Sequence, residues 1–428
     1  MIQGKNYTIY HDKMQNVLPL LAENSIDCIV TDPPYHLESI VKRFGKKGSA
    51  KCKEGKDGSF ARLSKGFMGK EWDGGDVSFR IETWKQCLRV LKPGGYLLAF
   101  GGSRTVHRMA CAIEDAGFEI RDELLWLYGS GFPKSMSISK AIESQEKYGK
   151  SGTSYKRKIE QESDGKLYKI KQPNNGILGN IKEANRKEYI PKSDLAKQWE
   201  GWGTALKPAY EPIIMARKPF KGSCATNIMK WGVGGINIDE CRVEYTDDKD
   251  KTSETPQGRY PANIIHDGSK EVTKDMWDWE TETDASRYFY CAKASKKDRD
   301  EGLDDFDSEQ TTDGYIRSNA DTARMYGANS IIKKNTHPTV KPTELMQYLV
   351  RLVAPKGATI LDPFCGSGST GKACMFENRE RNANYKFIGI EMTAEYIPII
   401  QARLDYAANQ YEYEKKKIEK EEGVISLF

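Results

Sequence analysis

No stretch of this 428-residue chain approaches the ~18 consecutive apolar residues that a membrane-spanning helix needs. The opening run, MIQGKNYTIYHDKM, has no apolar leader segment either, so a secreted or membrane protein is not expected. Paired cysteines are also missing. Cys28, Cys52, Cys87, Cys111, Cys224, Cys241, Cys291, Cys365 and Cys374 are odd in number, scattered, and form no C-x-x-C unit. That spacing excludes a disulfide framework and a cysteine zinc site, and points to reduced thiols in the cytoplasm. Only five histidines are present and none pairs at ligand spacing, so no metal is expected. One-sided charge is lacking as well. With 66 Lys and Arg against 61 Asp and Glu the net charge is +5, too mild to imply nucleic acid from the total alone. Hydrophobic residues reach 38%, enough for one sizeable core but thin for the whole length. Part of the chain is therefore expected as a solvated insertion.

What is there is concentrated at the two ends. Tyr7–Asp12 reads as a short strand, followed by an apolar helical run from Met14 to Ala22. Ile26–Thr31 (IDCIVT) is continuously apolar apart from one acid, as a strand buried on both faces of a parallel sheet is. Ser78–Leu91 has helical periodicity and stops at Lys92-Pro93-Gly94-Gly95, a helix-ending turn signal. Tyr96–Phe100, Thr105–Ala116 and Phe118–Leu127 continue as strand, helix and strand. The rhythm returns with a helix at Thr343–Val353, a strand around Thr359–Leu361, a helix at Ser369–Glu377 and a strand at Lys386–Ile390. A long helix is expected from Ala394 to about Glu421, with a kink or later start at Pro398. Strands alternating with helices imply βαβ units. The middle is different. Residues 133–205 are rich in Lys, Gly, Ser and Asn, and residues 221–335 mix short apolar pieces with an acidic stretch near Asp298–Glu309. Ala209–Ala216 is one more strand candidate, which Pro212 would confine to an edge or a bulge.

Charge is segregated although the total is small. From Lys42 to Lys70 ten basic residues face only Glu54 and Asp57. Such runs are usually solvated loops, but this one directly follows Asp32-Pro33-Pro34-Tyr35 at the carboxyl end of an apolar strand. That end of an open α/β sheet is where ligands bind. Two successive prolines stiffen the backbone and remove two N–H donors. The turn presents a carboxylate, bare carbonyls and an aromatic ring, an acceptor-rich site suited to an amino group on a flat ring.

A second constellation, Asp362-Pro363-Phe364-Cys365-Gly366-Ser367-Gly368-Ser369-Thr370-Gly371, follows a strand and opens a helix. Gly366, Gly368 and Gly371 fit G-x-G-x-x-G, and Glu391 ends the next strand 20 residues after Gly371 (391 − 371). A carboxylate there can bind ribose hydroxyls. A dinucleotide dehydrogenase would share these features. Only 57 residues follow Gly371 (428 − 371), too few for the rest of a doubly wound sheet, so the remaining strands must come from the N-terminal part. The sheet is therefore expected to be circularly permuted, and Asp32–Tyr35 would have no role in hydride transfer.

Jointly these residues resemble the beta-group amino-methyltransferases of DNA, in which a D-P-P-Y motif precedes the target-recognition region and an F-x-G-x-G motif comes last. Phe364–Gly368 matches the latter. His337-Pro338-Thr339-Val340-Lys341-Pro342 resembles the family segment that covers the methionine part of the cofactor. Asp12, closing the first strand, resembles the acid that contacts the cofactor adenine. Cytosine C5 methylation needs a Pro-Cys nucleophile motif, and the sequence contains no such dipeptide.

The resemblance implies an α/β, circularly permuted, Rossmann-like sheet that uses S-adenosylmethionine. The expected domains are 1–132 with the catalytic motif, 133–335 as the inserted target-recognition region with one sheet strand near 209–217, and 336–428 for the cofactor. Asp32, Pro33, Pro34 and Tyr35 are expected to be catalytic. Asp12, Lys341, Asp362, Phe364, Gly366, Ser367, Gly368, Thr370 and Glu391 are expected to bind the cofactor. The implied partner is double-stranded DNA, in a cytoplasmic protein that meets the nucleoid through it. Homodimerisation and a cognate restriction endonuclease stay open. In this family Asp in the first motif position accompanies adenine N6 and Ser accompanies cytosine N4, so Asp32 favours adenine. A cytosine-N4 enzyme and a catalytically silent DNA-binding protein are the alternatives.

Overall fold

The structure, a computed structural model, describes residues 1–35, 76–129, 135–173, 181–245, 257–274, 277–278, 283–284, 289–292, 296–306, 309–311 and 331–409. The basic stretch Lys42–Lys70 lies outside them. Two compact units are formed. One comprises Met1–Gly129, Tyr210–Asp307 and Lys334–Phe428; the other comprises Ser130–Ala209 and Ser308–Lys333.

The first unit is built on a ten-stranded sheet. Its strands are β1 (Ile2–Gly4), β2 (Tyr7–His11), β3 (Ile26–Thr31), β4 (Leu91–Phe100), β5 (Glu119–Leu127), β6 (Tyr210–Arg217), β7 (Ile264–His266), β8 (Tyr290–Cys291), β9 (Thr359–Asp362) and β10 (Lys386–Glu391). Their spatial order is β1-β2-β10-β9-β3-β4-β6-β5-β7-β8. Strands β2, β10, β9, β3 and β4 run parallel, while β6 enters antiparallel between β4 and β5. The sheet is Rossmann-like and circularly permuted, because the late strands β9 and β10 sit between the early strands β2 and β3.

All six residues of β3 are buried, which explains its nearly unbroken apolar run. Helices cover both faces. On one, Ile81–Val90 and Val106–Asp115 bury Trp84, Cys87, Met109 and Ile113 against Ile29, Leu97 and Ala99. On the other, Thr343–Val353, Ser369–Arg381 and Ile397–Ala408 pack Leu349, Cys374 and Leu404 against Cys28, Val30 and Ile360.

Two local expectations change, and the later helix start expected at Pro398 holds. Lys92–Gly95 is not a turn after the helix: β4 starts at Leu91 and runs through it. Gly94 has φ +84, and a Cβ on Gly95 would come within 2.7 Å of the Asp27 carbonyl, so both glycines are needed for this close passage. Strand β6 is interior rather than at an edge. Pro212 is tolerated there because its carbonyl accepts from Gly101 N at 2.9 Å, just beyond the last residue of β4. Its missing N–H faces the same way, past the end of the ladder. The final helix begins at Ile397 after a 3₁₀ turn at Ala394–Tyr396, with Pro398 in its first turn, where no donor is lost. The stretch expected to continue it beyond residue 409 lies outside the described residues.

The second unit packs the helices Ile138–Tyr148, Thr153–Gln161 and Asp194–Gln198 with a hairpin, Leu167–Pro173 against Ile181–Lys187. Ser137 and Ser193 cap two of the helices through their hydroxyls. Two short strands, Glu309–Thr311 and Ile331–Lys333, pair antiparallel within it.

Candidate active site

The carboxyl ends of β3, β9, β10 and β2 lie side by side, and the residues singled out above converge there. Thr31, the last residue of β3, donates its hydroxyl to Asp362 Oδ1 at 2.6 Å. Asp362 also accepts from Phe364 N at 3.1 Å and from Thr370 Oγ1 at 2.7 Å. Burial raises its carboxyl to about 6 despite these donors. Asp362 and Thr370 are therefore spent inside the loop, tying strand β9 to the helix Ser369–Arg381.

The loop between them is held from three sides. Gly366 N donates to Glu391 Oε2 at 2.8 Å, and Thr393 N donates to Glu391 Oε1 at 2.8 Å. Gly366 has φ +56, and a Cβ there would stand 2.9 Å from His337 Nε2. The buried Arg403 donates to the Ser367 carbonyl at 2.6 Å and to Ser367 Oγ at 3.0 Å. A Cβ on Gly368 (φ +78) would meet Leu404 and Ile400 at 3.0 and 3.1 Å, so this glycine permits close packing on the last helix. Asp12 N donates to the Glu391 carbonyl at 3.1 Å, which sets Asp12 beside the end of β10. The exposed Asp12 carboxylate is held below the usual range by the Asn16 side chain, with Lys13 N adding to it.

The Asp32–Tyr35 turn is clamped from outside. Ser78 Oγ donates to the Pro34 carbonyl at 2.6 Å, and Thr105 Oγ1 donates to the Tyr35 carbonyl at 3.0 Å. No described residue donates to the Pro33 carbonyl. Tyr35 Oη donates to Asp32 Oδ1 at 2.7 Å. Lys341 Nζ reaches Asp32 Oδ2 at 2.6 Å, Tyr35 Oη at 3.1 Å and Glu211 Oε2 at 3.1 Å. Burial alone would depress the Lys341 ammonium, but Asp32 and Glu211 outweigh it and hold the proton on. Burial, Asp32 and Glu211 together push the Tyr35 hydroxyl well up. His337 is neutral: burial lowers its ring to about 4. Its Nδ1 lies 2.8 Å from the Thr339 carbonyl, and its ring packs edge-on against Tyr396 at 4.7 Å.

An acceptor-rich turn and a glycine loop therefore meet at one sheet edge. The sequence matches the N6_N4_Mtase family, described as DNA methylase, over residues 26–402. The chain belongs to this family of DNA methylases. It is 23% identical over 428 residues to the Type II methyltransferase M.HindIII of Haemophilus influenzae, covering 96% of this chain and 98% of that one. The DNA adenine methyltransferase YhdJ of Escherichia coli is 38% identical over 84 residues, 20% of this chain and 26% of its own. Among solved structures, the cytosine-N4-specific PvuII DNA methyltransferase aligns with TM-score 0.41 and 15% identity, over 94% of this chain and 87% of that one.

The methyl donor of this DNA methylase is S-adenosylmethionine. The residues at the ends of β2, β9 and β10 fit it: carboxylates at Asp12 and Glu391 suit hydroxyl donors and a positive sulfonium, and Phe364 adds a partly exposed ring. Asp362, Ser367 and Thr370 are each at most 3% exposed and sit behind that surface. Lys341 lies on Asp32 rather than among the glycines. Two groups escaped the sequence reading. Glu211 lies 179 residues after Asp32 (211 − 32), beyond a long segment of the second unit, and only its place before Pro212 could have drawn notice. The acidic stretch supplies Asp298, which accepts from Thr343 Oγ1 at 2.5 Å and from Lys372 Nζ at 2.6 Å and so braces the segment leading to Lys341.

Proposed function

We propose that this DNA methyltransferase transfers a methyl group from S-adenosylmethionine to the exocyclic N6 of an adenine flipped out of duplex DNA. The observation that carries this reading is the pair of acceptors left by the clamped turn. The Pro34 and Tyr35 carbonyls are occupied, while no described residue donates to the Pro33 carbonyl, and Asp32 presents a carboxylate whose present donors, Tyr35 and Lys341, the base would replace. An adenine amino group has two N–H donors, and two acceptors held by a rigid turn would take both. That draws the nitrogen lone pair out of the ring and toward the methyl group. Tyr35 would stack on the base. Alignment by one rigid sheet edge supplies much of the rate, and no covalent enzyme intermediate is needed. The base must leave the duplex to reach this depth, which costs a few kcal/mol of unstacking.

The bound cofactor supplies an electrophilic sulfonium methyl. Phe364, the Gly366 backbone, Glu391 and Asp12 would hold it, while Asp362, Ser367, Gly368 and Thr370 keep their loop in shape. Asp rather than Ser at position 32 supports adenine over cytosine N4. The region 133–335 would read the target, and the basic Lys42–Lys70 stretch would hold phosphates without reading bases.

The test is product analysis. Unmethylated bacterial DNA is incubated with the protein and tritiated cofactor, then digested to nucleosides. Label in N6-methyladenine is expected; label in N4-methylcytosine would overturn the adenine assignment.

A further inference from the structure

We propose that Glu211 is a positioning residue for methyl transfer: it offers the donors that now hold Asp32 a second acceptor, so that Asp32 can be released to the target amino group. The inference rests on the reading of Asp32 as the acceptor for that group. One ammonium is shared here by two carboxylates. Lys341 is 8% exposed at its side chain, against 21% for Asp32 and 24% for Glu211. Its three N–H donors are accounted for by Asp32, Glu211 and Tyr35, and the Phe100 ring lies 4.8 Å from Nζ. Tyr35 Oη, 2.7 Å from Asp32 Oδ1, is also 3.3 Å from Glu211 Oε2.

Both donors that occupy Asp32 therefore already touch Glu211. When an amino group approaches Asp32, Lys341 and Tyr35 can lean toward Glu211 without any buried donor losing its partner. Without Glu211 the base would have to displace a buried ammonium from the carboxylate balancing it, and Asp32 would be the weaker acceptor for being neutralised one to one. Glu211 is well placed to stay still during this exchange. It sits opposite Trp126 on the interior strand β6, and Pro212 follows it.

Glu211→Gln keeps an acceptor oxygen and removes the charge. The single-turnover methylation rate on unmethylated bacterial DNA should fall about 10- to 100-fold, while calorimetric affinity for S-adenosylmethionine stays unchanged. Glu211→Asp should recover part of the rate, and decides the matter alone if the glutamine variant does not fold. In a Lys341→Met background the Glu211→Gln change should slow the enzyme further by less than about threefold, because the two residues act together. Wild-type rates in both Glu211 variants would overturn the proposal, as would equal slowing in the two backgrounds. Asp32→Ala in the same assay separates the two levels. If it retains turnover, the assignment of Asp32 itself fails. If it is inactive while Glu211→Gln is fully active, only the role of Glu211 fails.

Discussion

The Thr31 hydroxyl donates to the Asp362 carboxylate at 2.6 Å across 331 residues of sequence. Each of these residues ends a parallel strand, and each leads into an Asp-Pro step, Asp32-Pro33 after one and Asp362-Pro363 at the other. The bond locks the Asp32–Tyr35 turn to the glycine loop, so a methyl donor on the loop and a base on the turn would be aligned by one edge of one sheet.

Asp32→Ala should abolish methyl transfer while cofactor and DNA still bind. Losing a group of this kind costs on the order of 10²–10³ in rate or more. Asp32→Asn should also be poor, since the amide lacks the charge that strengthens the bond. Asp32→Ser should keep some activity. Single-turnover methylation with separate binding assays checks this, and near-normal turnover in Asp32→Ala would make the turn purely structural.

Gly368→Leu should lose S-adenosylmethionine binding in calorimetry and lower the melting temperature. A Cβ there meets Leu404 at 3.0 Å in a left-handed backbone, so the larger side chain must push the loop off the last helix. Binding at wild-type affinity would place the cofactor away from this loop.

Two buried groups give opposite pH dependences. The Asp362 carboxyl is raised from 3.8 to about 6, so its share of stability is full below pH 4 and declines as pH rises toward 6. His337 is lowered from 6.5 to about 4, so its share is full above pH 6.5 and declines as pH falls toward 4. Each shift corresponds to at most about 3.5 kcal/mol. Over pH 4–6 the two slopes oppose one another in the wild type. Urea unfolding of Asp362→Asn should lose stability more steeply on acidification than wild type, and His337→Asn less steeply. Parallel curves for all three proteins would contradict the burial of both groups.

Neutralising Lys46, Lys47 and Lys51 together should weaken binding to every DNA sequence alike. The slope of log affinity against log salt should flatten by about 0.9 per lost phosphate contact. A loss confined to the methylated site, measured by fluorescence anisotropy on random and target duplexes, would mean that this stretch reads bases.

The permuted sheet and both motifs were legible because each depends on neighbours in sequence. Asp32 is followed by two prolines, and Gly366 and Gly368 lie between a strand and a helix start. Lys341 was also visible as part of a motif, but its carboxylate partners come from distant segments, 309 residues away for Asp32. No spacing rule reports such a contact. Pro212 misled for the same reason: whether a missing N–H matters depends on where the neighbouring strand stops. Asp298 stood out only as part of an acidic stretch, and only the fold reveals that Lys372, with a fully buried side chain, pairs with it.

The strand order carries a consequence for synthesis of the protein. β3 cannot acquire its neighbour β9 until residues 359–362 have left the ribosome, and β2 waits for residues 386–391. At about 5–20 residues per second, roughly 20–70 s separate the emergence of β3 from that of β10. Until then the edges of β2 and β3 that later meet β10 and β9 stay open, although β1 and β4 already pair with their other edges, and Asp32 lacks its ammonium partner until residue 341 is made. A chain that stops short of β10 would thus lack the paired strand ends on which both motifs sit.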